Sequence, residues 1–563
     1  MLLSTNAWRG KRHNSNGRQR VGFEIEISAS QTQCPYFSGD QIYADDVPDL
    51  AFGAIQELGI ELTGKSRIDL LTNAYSKYSK GGSRGALVED RGIWRNRTGF
   101  TVNIGTGGNH LINFDEFAAA YCMAWNPRLW QGEGGLHEQL RKKPKTPPTE
   151  LFAKEKRREL ELESEKLLSF YSSVQSFSRL VANISTYMFF DDHEVTDDWN
   201  LTVDWAQRVA ASELGSSIVR NGILGYWAFQ DRGNRAPDEK DSLTGVVSEY
   251  FSSHGKNAKA LDLALSKRSW SFCSATAPLI TFLDTRTKRV KAEERIQTYL
   301  SDDSLASLSA GSNTALVSTE EITKLTSEIS DTPERPIIIV TPTPIFSCMA
   351  IEGIKESVSS TTRDIHPLPS EFVDAEHWLA NPKSFLNACT LLSALGEKQV
   401  LILSGDVHFS FALSAKIRFR GGDDIQIIQV TSSAVQNEQP PPLKALLEMF
   451  GTTWGEHRNS FSFWFRDGQD PVFFSDLHNK EAQYDRLKMV LGIPTIECFS
   501  SLEPLHEPLP AIGPLSAPQR AIETRNTVGF LQFFGNEGQH QLLTNLPNGT
   551  LRSRPLFFRL SAK

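Results

Sequence analysis

Three short apolar runs in this chain stop abruptly at small or acidic residues, and this pattern constrains the fold more than any other feature. The runs read YFS, YMFF and VLIL, and the residues that follow them include Asp40, Asp192 and Asp406. A fourth run, IIIV at 337–340, ends at prolines. Short apolar runs with abrupt ends are typical of buried strands. Stretches of helical length separate them, so the sequence predicts an α/β fold.

The most acidic segment, MFFDDHEVTDDWN, contains the second run and carries five carboxylates and one histidine. Like charges at this density raise one another's pKa and destabilise a site unless a cation neutralises them. The alternative is a solvated loop in which Asp197 or Asp198 caps the helix that follows. An EF-hand is excluded because its sixth position is Thr196 rather than glycine. The segment therefore makes Asp192 and His193 candidate metal-site residues.

Two further segments, SGDQIYADD and LILSGDVHFS, repeat the strand-then-acid pattern. A glycine allows the chain to turn sharply, so that Asp40 projects from the strand end. Tyr43 follows three residues later, on the same face if the chain makes a helical turn. Asp406 and His408 are two residues apart, and both point to one side if the chain stays extended. Taken alone, Asp40 has the alternative interpretation of a turn or helix cap, and His408 that of a core histidine.

Together these segments deliver oxygen and nitrogen ligands from the ends of three strands to one crevice, where open α/β sheets bind ligands. Two divalent or trivalent metals about 4 Å apart, bridged by a carboxylate, would activate water as hydroxide and hold a phosphoryl group. His193 would then donate a proton to the leaving oxygen. The sequence thus predicts metal-dependent hydrolysis of phosphoric esters.

The same residues resemble the PhoD-like alkaline phosphatases, a branch of the calcineurin-like metallophosphoesterases. The resemblance rests on GDQIYADD at 39–46, FDDHEVTDDW at 190–199 and LSGDVH at 403–408, and it covers roughly residues 1–440. It implies a four-layer α-β-β-α sandwich of two mixed sheets with helical insertions. It also implies phosphomonoesterase or phosphodiesterase activity and two or more ions of calcium, iron, manganese or zinc.

The resemblance assigns roles to individual residues. Asp40 would bridge the two metals and Tyr43 would ligate one of them. Asp192 would be a ligand, with Asp191 as the alternative, and His193 would assist the leaving group. The final ligand pair would be Asp406 and His408.

One feature of the family is absent. PhoD-like proteins usually open their first catalytic strand with Ser-Cys, but residues 4–13 read STNAWRGKRH, with Ala7 about where the cysteine would be. Asn6 or His13 would have to substitute, and loss of a thiolate would change which metal is preferred. The alternative hypothesis is therefore a degenerate relative that keeps the fold as a non-catalytic binding or scaffolding module.

Substrate contacts are predicted from two further features. Asn109 and His110 follow a glycine-rich loop of the kind that can approach phosphate, although such a loop is equally a plain turn. Arg220, and with it Arg232 and Arg235, would bind an anionic part of the substrate, because guanidinium suits phosphate geometry. Each arginine is otherwise an ion-pair partner.

Composition limits partners and location. The net charge of −8 makes nucleic acid an unlikely partner and disfavours a nuclease. No apolar run approaches the ~18 residues of a membrane span, and the basic start lacks the order of a signal peptide, so we expect a cytoplasmic protein without membrane contact, although members of that family are often exported. Six cysteines without a CxxC pair predict free thiols. The oligomeric state stays open.

The chain divides into a predicted catalytic domain, 1–450, and a C-terminal extension, 451–563, that adds strands to the same domain. Insertions are expected at about 131–180 and 255–332. Glycines and prolines predict a loop at 131–150, and the mixed charged sequence of 285–332 predicts a helical excursion.

Overall fold

A computed structural model provides the coordinates. It describes residues 2–3, 36–66, 68–70, 98–100, 110–132, 134–142, 153–197, 199, 203–235, 241–274, 276, 278–289, 316–330, 337–346, 378, 382–393, 399–419, 425–432, 444, 447, 458–464, 472–475, 495–503, 521–534, 537–546, 549–553 and 555–559.

Ten α-helices lie within this part of the chain. They are α1 (Asp49–Thr63), α2 (Phe114–Trp125), α3 (Leu136–Arg141), α4 (Ala153–Asn183), α5 (Val203–Ala211), α6 (Glu213–Tyr226), α7 (Leu243–Ser252), α8 (Ala258–Lys267), α9 (Thr319–Ser330) and α10 (Pro382–Ser393). Helix α6 continues through a π-helical turn, Trp227–Asp231, into Arg232–Asn234. Short 3₁₀ turns occur at Gly64–Ser66, Pro127–Trp130 and Asp192–Glu194. None of the described helices is both long and apolar enough to cross a bilayer.

The described strands form two mixed sheets. They are β1 (Leu2–Leu3), β2 (Tyr36–Phe37), β3 (Tyr187–Met188), β4 (Phe272–Cys273), β5 (Leu279–Phe282), β6 (Ile337–Thr341), β7 (Val400–Ser404), β8 (Ser410–Phe419), β9 (Ile425–Thr431), β10 (Arg458–Trp464), β11 (Val472–Ser475), β12 (Thr495–Glu503), β13 (Ile522–Glu523), β14 (Val528–Phe534), β15 (Glu537–Leu546), β16 (Gly549–Arg552) and β17 (Leu556–Arg559). The seven-stranded sheet has the order β16-β15-β14-β1-β2-β3, with β17 also paired to β15. The ten-stranded sheet has the order β11-β10-β12-β8-β9-β7-β6-β5-β4, with β13 also paired to β8. The predicted α/β fold class is confirmed.

The four apolar runs singled out in the sequence are β2, β3, β6 and β7, so those strand predictions are confirmed. The predicted loop at 131–150 is wrong in part, because α3 lies within it. Leu136 and Leu140 of α3 are one helical turn apart and both buried. The side-chain hydroxyl of Ser164 in α4 also donates a hydrogen bond to the Leu140 carbonyl, at 2.8 Å. This contact with α4 stabilises a helix that glycines and prolines conceal in the sequence.

The two sheets share an apolar interior that holds the ends of β2 and β3 beside those of β5 to β7. Tyr36 in β2, Tyr187 in β3 and Phe189 after it lie with ring centroids 6.2, 5.7 and 5.6 Å from that of Phe282 in β5. Burying one such side chain contributes about 1.5–3 kcal/mol. This aromatic cluster therefore fixes one sheet against the other close to the acidic strand ends.

Strand β6 shows how the ten-stranded sheet is covered on both faces. Because side chains alternate along a strand, Ile338 and Val340 point into the interior between the sheets, while Ile337 and Ile339 pack with residues of α9 and α10. A strand buried on both sides is uniformly apolar, which is why this run has no alternating pattern in the sequence.

Residues after 450 contribute strands to both sheets. Strand β12 pairs with β10 and β8 in the ten-stranded sheet, and β14 pairs with β1 and β15 in the seven-stranded sheet. The domain boundary at 450 stays a prediction. Three of the six cysteines, Cys122, Cys273 and Cys389, lie in the described residues and form no disulfide.

We expect Gly215→Ala to lower the free energy of unfolding by about 1–3 kcal/mol, the cost of overpacking a core. A Cβ atom on Gly215 would lie 1.9 Å from the backbone oxygen of Thr98, so the two segments would have to separate. Gly53→Ala in α1 is the matched control, because its Cβ meets no atom within 4 Å. The midpoints of urea unfolding should fall for the first variant and stay or rise for the second. Equal midpoints would contradict the close approach.

Candidate metal centre

The turn after β2 places Asp40 in the interior. The chain bends at Gly39, whose carbonyl accepts a hydrogen bond from the side-chain amide of Gln41 at 2.9 Å. Asp40 is only 1% exposed, and its Oδ1 atom has no hydrogen-bond partner in the described structure. Burial, partly opposed by the charge of His193, raises the pKa of Asp40 well above its ordinary value. Such a buried, unsatisfied carboxylate is costly without a cation.

The turn after β3 is the 3₁₀ turn Asp192–Glu194, and side-chain hydrogen bonds hold its first residues in place. Asp191 accepts a hydrogen bond from the Asp192 amide at 3.1 Å, and Glu194 accepts one from the Asp191 amide at 2.7 Å. This reciprocal pattern is a capping box. It holds the carboxylates of Asp191 and Asp192 at the strand end.

Glu194 ties this turn to the turn that carries Asp40. Its Oε1 atom accepts hydrogen bonds from the Gln41 amide at 2.7 Å and from the Gln230 side chain at 2.6 Å. The Ala44 amide also donates to the His193 carbonyl at 2.8 Å. Glu194 is fully buried, and burial raises its pKa to about 8. Its hydrogen bonds fix the two acidic turns relative to each other.

His193 is oriented by a second carboxylate. Its Nδ1 atom lies 2.9 Å from Asp45 Oδ1, and the Asp197 amide donates to the other oxygen of Asp45 at 2.6 Å. Burial opposes ionisation of Asp45, but the charge of His193 and their hydrogen bond lower its pKa to about 2. Although burial opposes protonation of the imidazole, the surrounding carboxylates, Asp45 foremost, raise the pKa of His193 well above its ordinary value. Asp45 thus fixes the ring through Nδ1, and Nε2 lies 3.9 Å from Asp197 Oδ1.

The turn after β7 differs from its sequence-based description. Asp406 and His408 have φ angles of 65° and 57°, so the chain is not extended there, and that premise is wrong. Residues other than glycine adopt this left-handed conformation at a cost, and such strain is concentrated at functional sites. The turn nevertheless directs Asp406 towards the other acidic turns.

Two groups of side chains among the described residues have the geometry to hold a metal ion. One comprises Asp40, Asp192 and His193, and the other Asp191, Asp192 and Asp406; within each, one potential ligand atom per residue lies within 4.8 Å of the others. The first group contains the unpartnered oxygen of Asp40. Carboxylate oxygens with an imidazole nitrogen suit divalent and trivalent ions. The three acidic turns, which belong to two different sheets, therefore converge on one candidate metal centre.

A buried arginine lies among the carboxylates of the second group, and no sequence motif indicates it. Arg286 is 1% exposed and follows β5 in a turn where Asp284 accepts its backbone amide hydrogen bond at 3.0 Å. Its Nη2 atom lies 2.6 Å from Asp191 Oδ1, 3.3 Å from Asp192 Oδ1 and 3.2 Å from Asp406 Oδ2. Arg286 falls in the segment 285–332, for which a helical excursion was expected. Residues 285–289 form a turn at the candidate metal centre, whereas α9, Thr319–Ser330, confirms a helix later in that segment.

Other predicted site residues lie at varying distances from this arrangement. The ring of Tyr43 packs on that of His193 at 4.1 Å, and its metal-ligating role stays a prediction. His408 belongs to neither group of described side chains, so its ligand role also stays a prediction. His110 is buried, with Nδ1 2.6 Å from the Leu111 carbonyl. Asn109 and the segment 4–13 lie outside the described residues.

Arg220 is engaged elsewhere. Two nitrogens of its guanidinium pair with the two oxygens of Asp262, at 2.6 and 2.7 Å, and its carbon lies 5.7 Å from the ring centroid of Tyr250. Arg235 pairs with Asp231 in the same way, at 3.0 Å. This bidentate pairing favours the ion-pair interpretation, and a substrate role for Arg220 stays a prediction.

Comparisons with known proteins give little further information. No family model matches the chain, and no curated protein matches it. Among solved structures, the chain is similar to one titled "Structure of PhoD", with a TM-score of 0.42 and 10% sequence identity. That alignment covers 99% of this chain and 69% of the other.

Proposed function

We propose that this protein hydrolyses phosphoric esters, monoesters or diesters, with the help of a bound metal ion. The observation that carries the proposal is the convergence of Asp40, Asp192 and His193 on one position. The buried Oδ1 atom of Asp40, which has no hydrogen-bond partner in the described structure, belongs to this group. A metal ion bound there would lower the pKa of water to supply hydroxide and would polarise the phosphoryl group. The resemblance of GDQIYADD, FDDHEVTDDW and LSGDVH to PhoD-like phosphatases supports the same reaction class.

The chain's own residues have separable tasks in this proposal. Asp40 and Asp192 hold the metal ion, and Glu194 fixes the two turns that present them. His193 donates a proton to the leaving oxygen through Nε2, because Nδ1 is engaged by Asp45. A positioned general acid contributes about 10²–10⁴ to the rate. Protonation of the leaving group and binding of the nucleophile thus fall to different side chains.

We also propose the four-layer sandwich for the fold. Its support is the packing on the outer faces of the two sheets. Phe37 and Met188 of the seven-stranded sheet pack with Phe177 of α4, and Ile337 of the ten-stranded sheet packs in a cluster with α9 and α10. The shared interior between the sheets supplies the two central layers.

The proposal is tested by assaying an aryl phosphate monoester and a diester with purified protein supplied with calcium, iron, manganese or zinc. We expect hydrolysis that a chelator abolishes and that Asp40→Asn reduces to the metal-free level. Hydrolysis unchanged by the chelator and by Asp40→Asn would contradict it. A folded protein that binds no metal and cleaves neither ester would instead favour the non-catalytic binding module.

A further inference from the structure

We infer that Arg286 occupies the second cation position of this site, so that the chain binds one metal ion, at Asp40 and Asp192 beside His193, and not two. The inference rests on the metal binding in the proposed function but not on hydrolysis. It replaces the two-metal arrangement that the family resemblance implies.

The first step is the position of a single nitrogen atom. Nη2 of Arg286 lies within 3.3 Å of one oxygen from each of Asp191, Asp192 and Asp406. A metal ion bound to those three oxygens would have to lie about 2.0–2.6 Å from each of them, which is the usual range of metal–oxygen distances. Ion and nitrogen would therefore compete for the same space. The second group of carboxylates is filled by a side chain of the protein itself.

The second step is that Arg286 is held firmly. Its Nε atom donates a further hydrogen bond to Asp191 at 2.7 Å, and its backbone amide is bonded to Asp284. At 1% exposure it has no route to solvent without a rearrangement of the turn after β5. A buried guanidinium separated from its carboxylates is costly, typically about 3–5 kcal/mol for a broken buried pair. A second metal would have to outweigh that cost.

The third step is the contrast with Asp40. Within the described part of the chain no lysine or arginine pairs with Asp40, and its Oδ1 atom has no hydrogen-bond partner. Asp192 is shared by both groups, so it can face Arg286 with one oxygen and a metal with the other. The first group is thus open to a metal ion, whereas the second already holds a positive charge.

The test is the metal content of the folded protein, measured by elemental analysis after loading with manganese or zinc and desalting. We expect one ion per chain for the wild type and two for Arg286→Gln, which vacates the second group. Arg286→Lys keeps a cation there and should stay at one. Arg268→Gln is the matched control, because the side chain of Arg268 is 11% exposed and also pairs with two carboxylates, 2.5 Å from Asp231 and 2.7 Å from Asp241, neither of which belongs to the two groups.

Each outcome has a distinct meaning. Two ions in the wild type, or one ion in a folded Arg286→Gln variant, would overturn the role of Arg286 and leave the proposed function intact. No ion in the wild type but one in Arg286→Gln would show that Arg286 excludes a cation from the second group, but it would overturn the single ion at Asp40 and Asp192 and contradict the proposed function. No ion in either protein would overturn both. If Arg286→Gln does not fold, the wild-type count and that of Arg286→Lys still decide between one site and two.

Discussion

Replacing Asp40 by asparagine is expected to stabilise the metal-free protein and to remove its stabilisation by metal. The Asp40 carboxylate is buried and faces Asp191, Glu194 and Asp192, with one oxygen unbonded. Removing a buried, unsatisfied charge should raise the free energy of unfolding by about 1–3 kcal/mol. Metal at a hundred times its dissociation constant should stabilise the wild type by about 2.7 kcal/mol and the variant by none.

Thermal melts with and without metal measure both effects. Asp231→Asn is the control, since Asp231 is equally buried but is paired with Arg235 and Arg268. Its loss should destabilise the protein, by about 3–5 kcal/mol for a broken buried pair, and leave the metal-induced shift intact. A less stable metal-free Asp40→Asn protein, or one that metal still stabilises, would show that Asp40 is satisfied by contacts other than a metal.

Replacing His193 by asparagine is expected to lower kcat by about 10²–10⁴, the contribution of a general acid, for an ester with a poor leaving group. For a nitrophenyl ester the loss should be much smaller, because that leaving group departs without a proton. Metal content should remain unchanged, since the carboxylates hold the ion. Assays over a series of substituted phenyl phosphates, together with elemental analysis, provide the measurement.

Asp45→Asn separates positioning from proton donation. It keeps the imidazole but removes the charged partner of Nδ1, so we expect a smaller loss with the same dependence on the leaving group. Tyr171→Phe is the control. It removes a hydroxyl that accepts a hydrogen bond from Gln131, and it should leave the rates with both good and poor leaving groups unchanged. If His193→Asn lost the metal ion and slowed all esters equally, His193 would be a ligand and not the acid.

Much of the site follows from the sequence because its residues lie directly after strands. The apolar runs at β2, β3 and β7 predict the strand ends, and Asp40, Asp192 and Asp406 each follow within four residues of one of these ends. Asp45 and Glu194 lie in the same motifs, so the spacing of GDQIYADD and FDDHEV could have indicated them as well.

Arg286 could not be predicted in this way. Its contacts with Asp191 and Asp406 join residues 95 and 120 positions apart. The contact with Asp191 exists only because the two sheets pack together, and that with Asp406 requires β5 and β7 to lie in one sheet. The turn at Asp406 and His408 was missed for a related reason, since nothing local in SGDVHF requires two left-handed residues. Helix α3 depends likewise on contact with α4.

The aromatic cluster around Phe282 also has a mechanical consequence. Asp40 and Asp192 follow strands of the seven-stranded sheet, whereas Asp406 and Arg286 follow strands of the ten-stranded sheet. The charged centre therefore lies at the boundary between two sheets whose described strands do not pair with each other. A displacement of one sheet over the other that loosened this aromatic cluster would separate the acidic turns while every described backbone ladder remained intact. Amide protons in the acidic turns should then exchange earlier than those within either sheet.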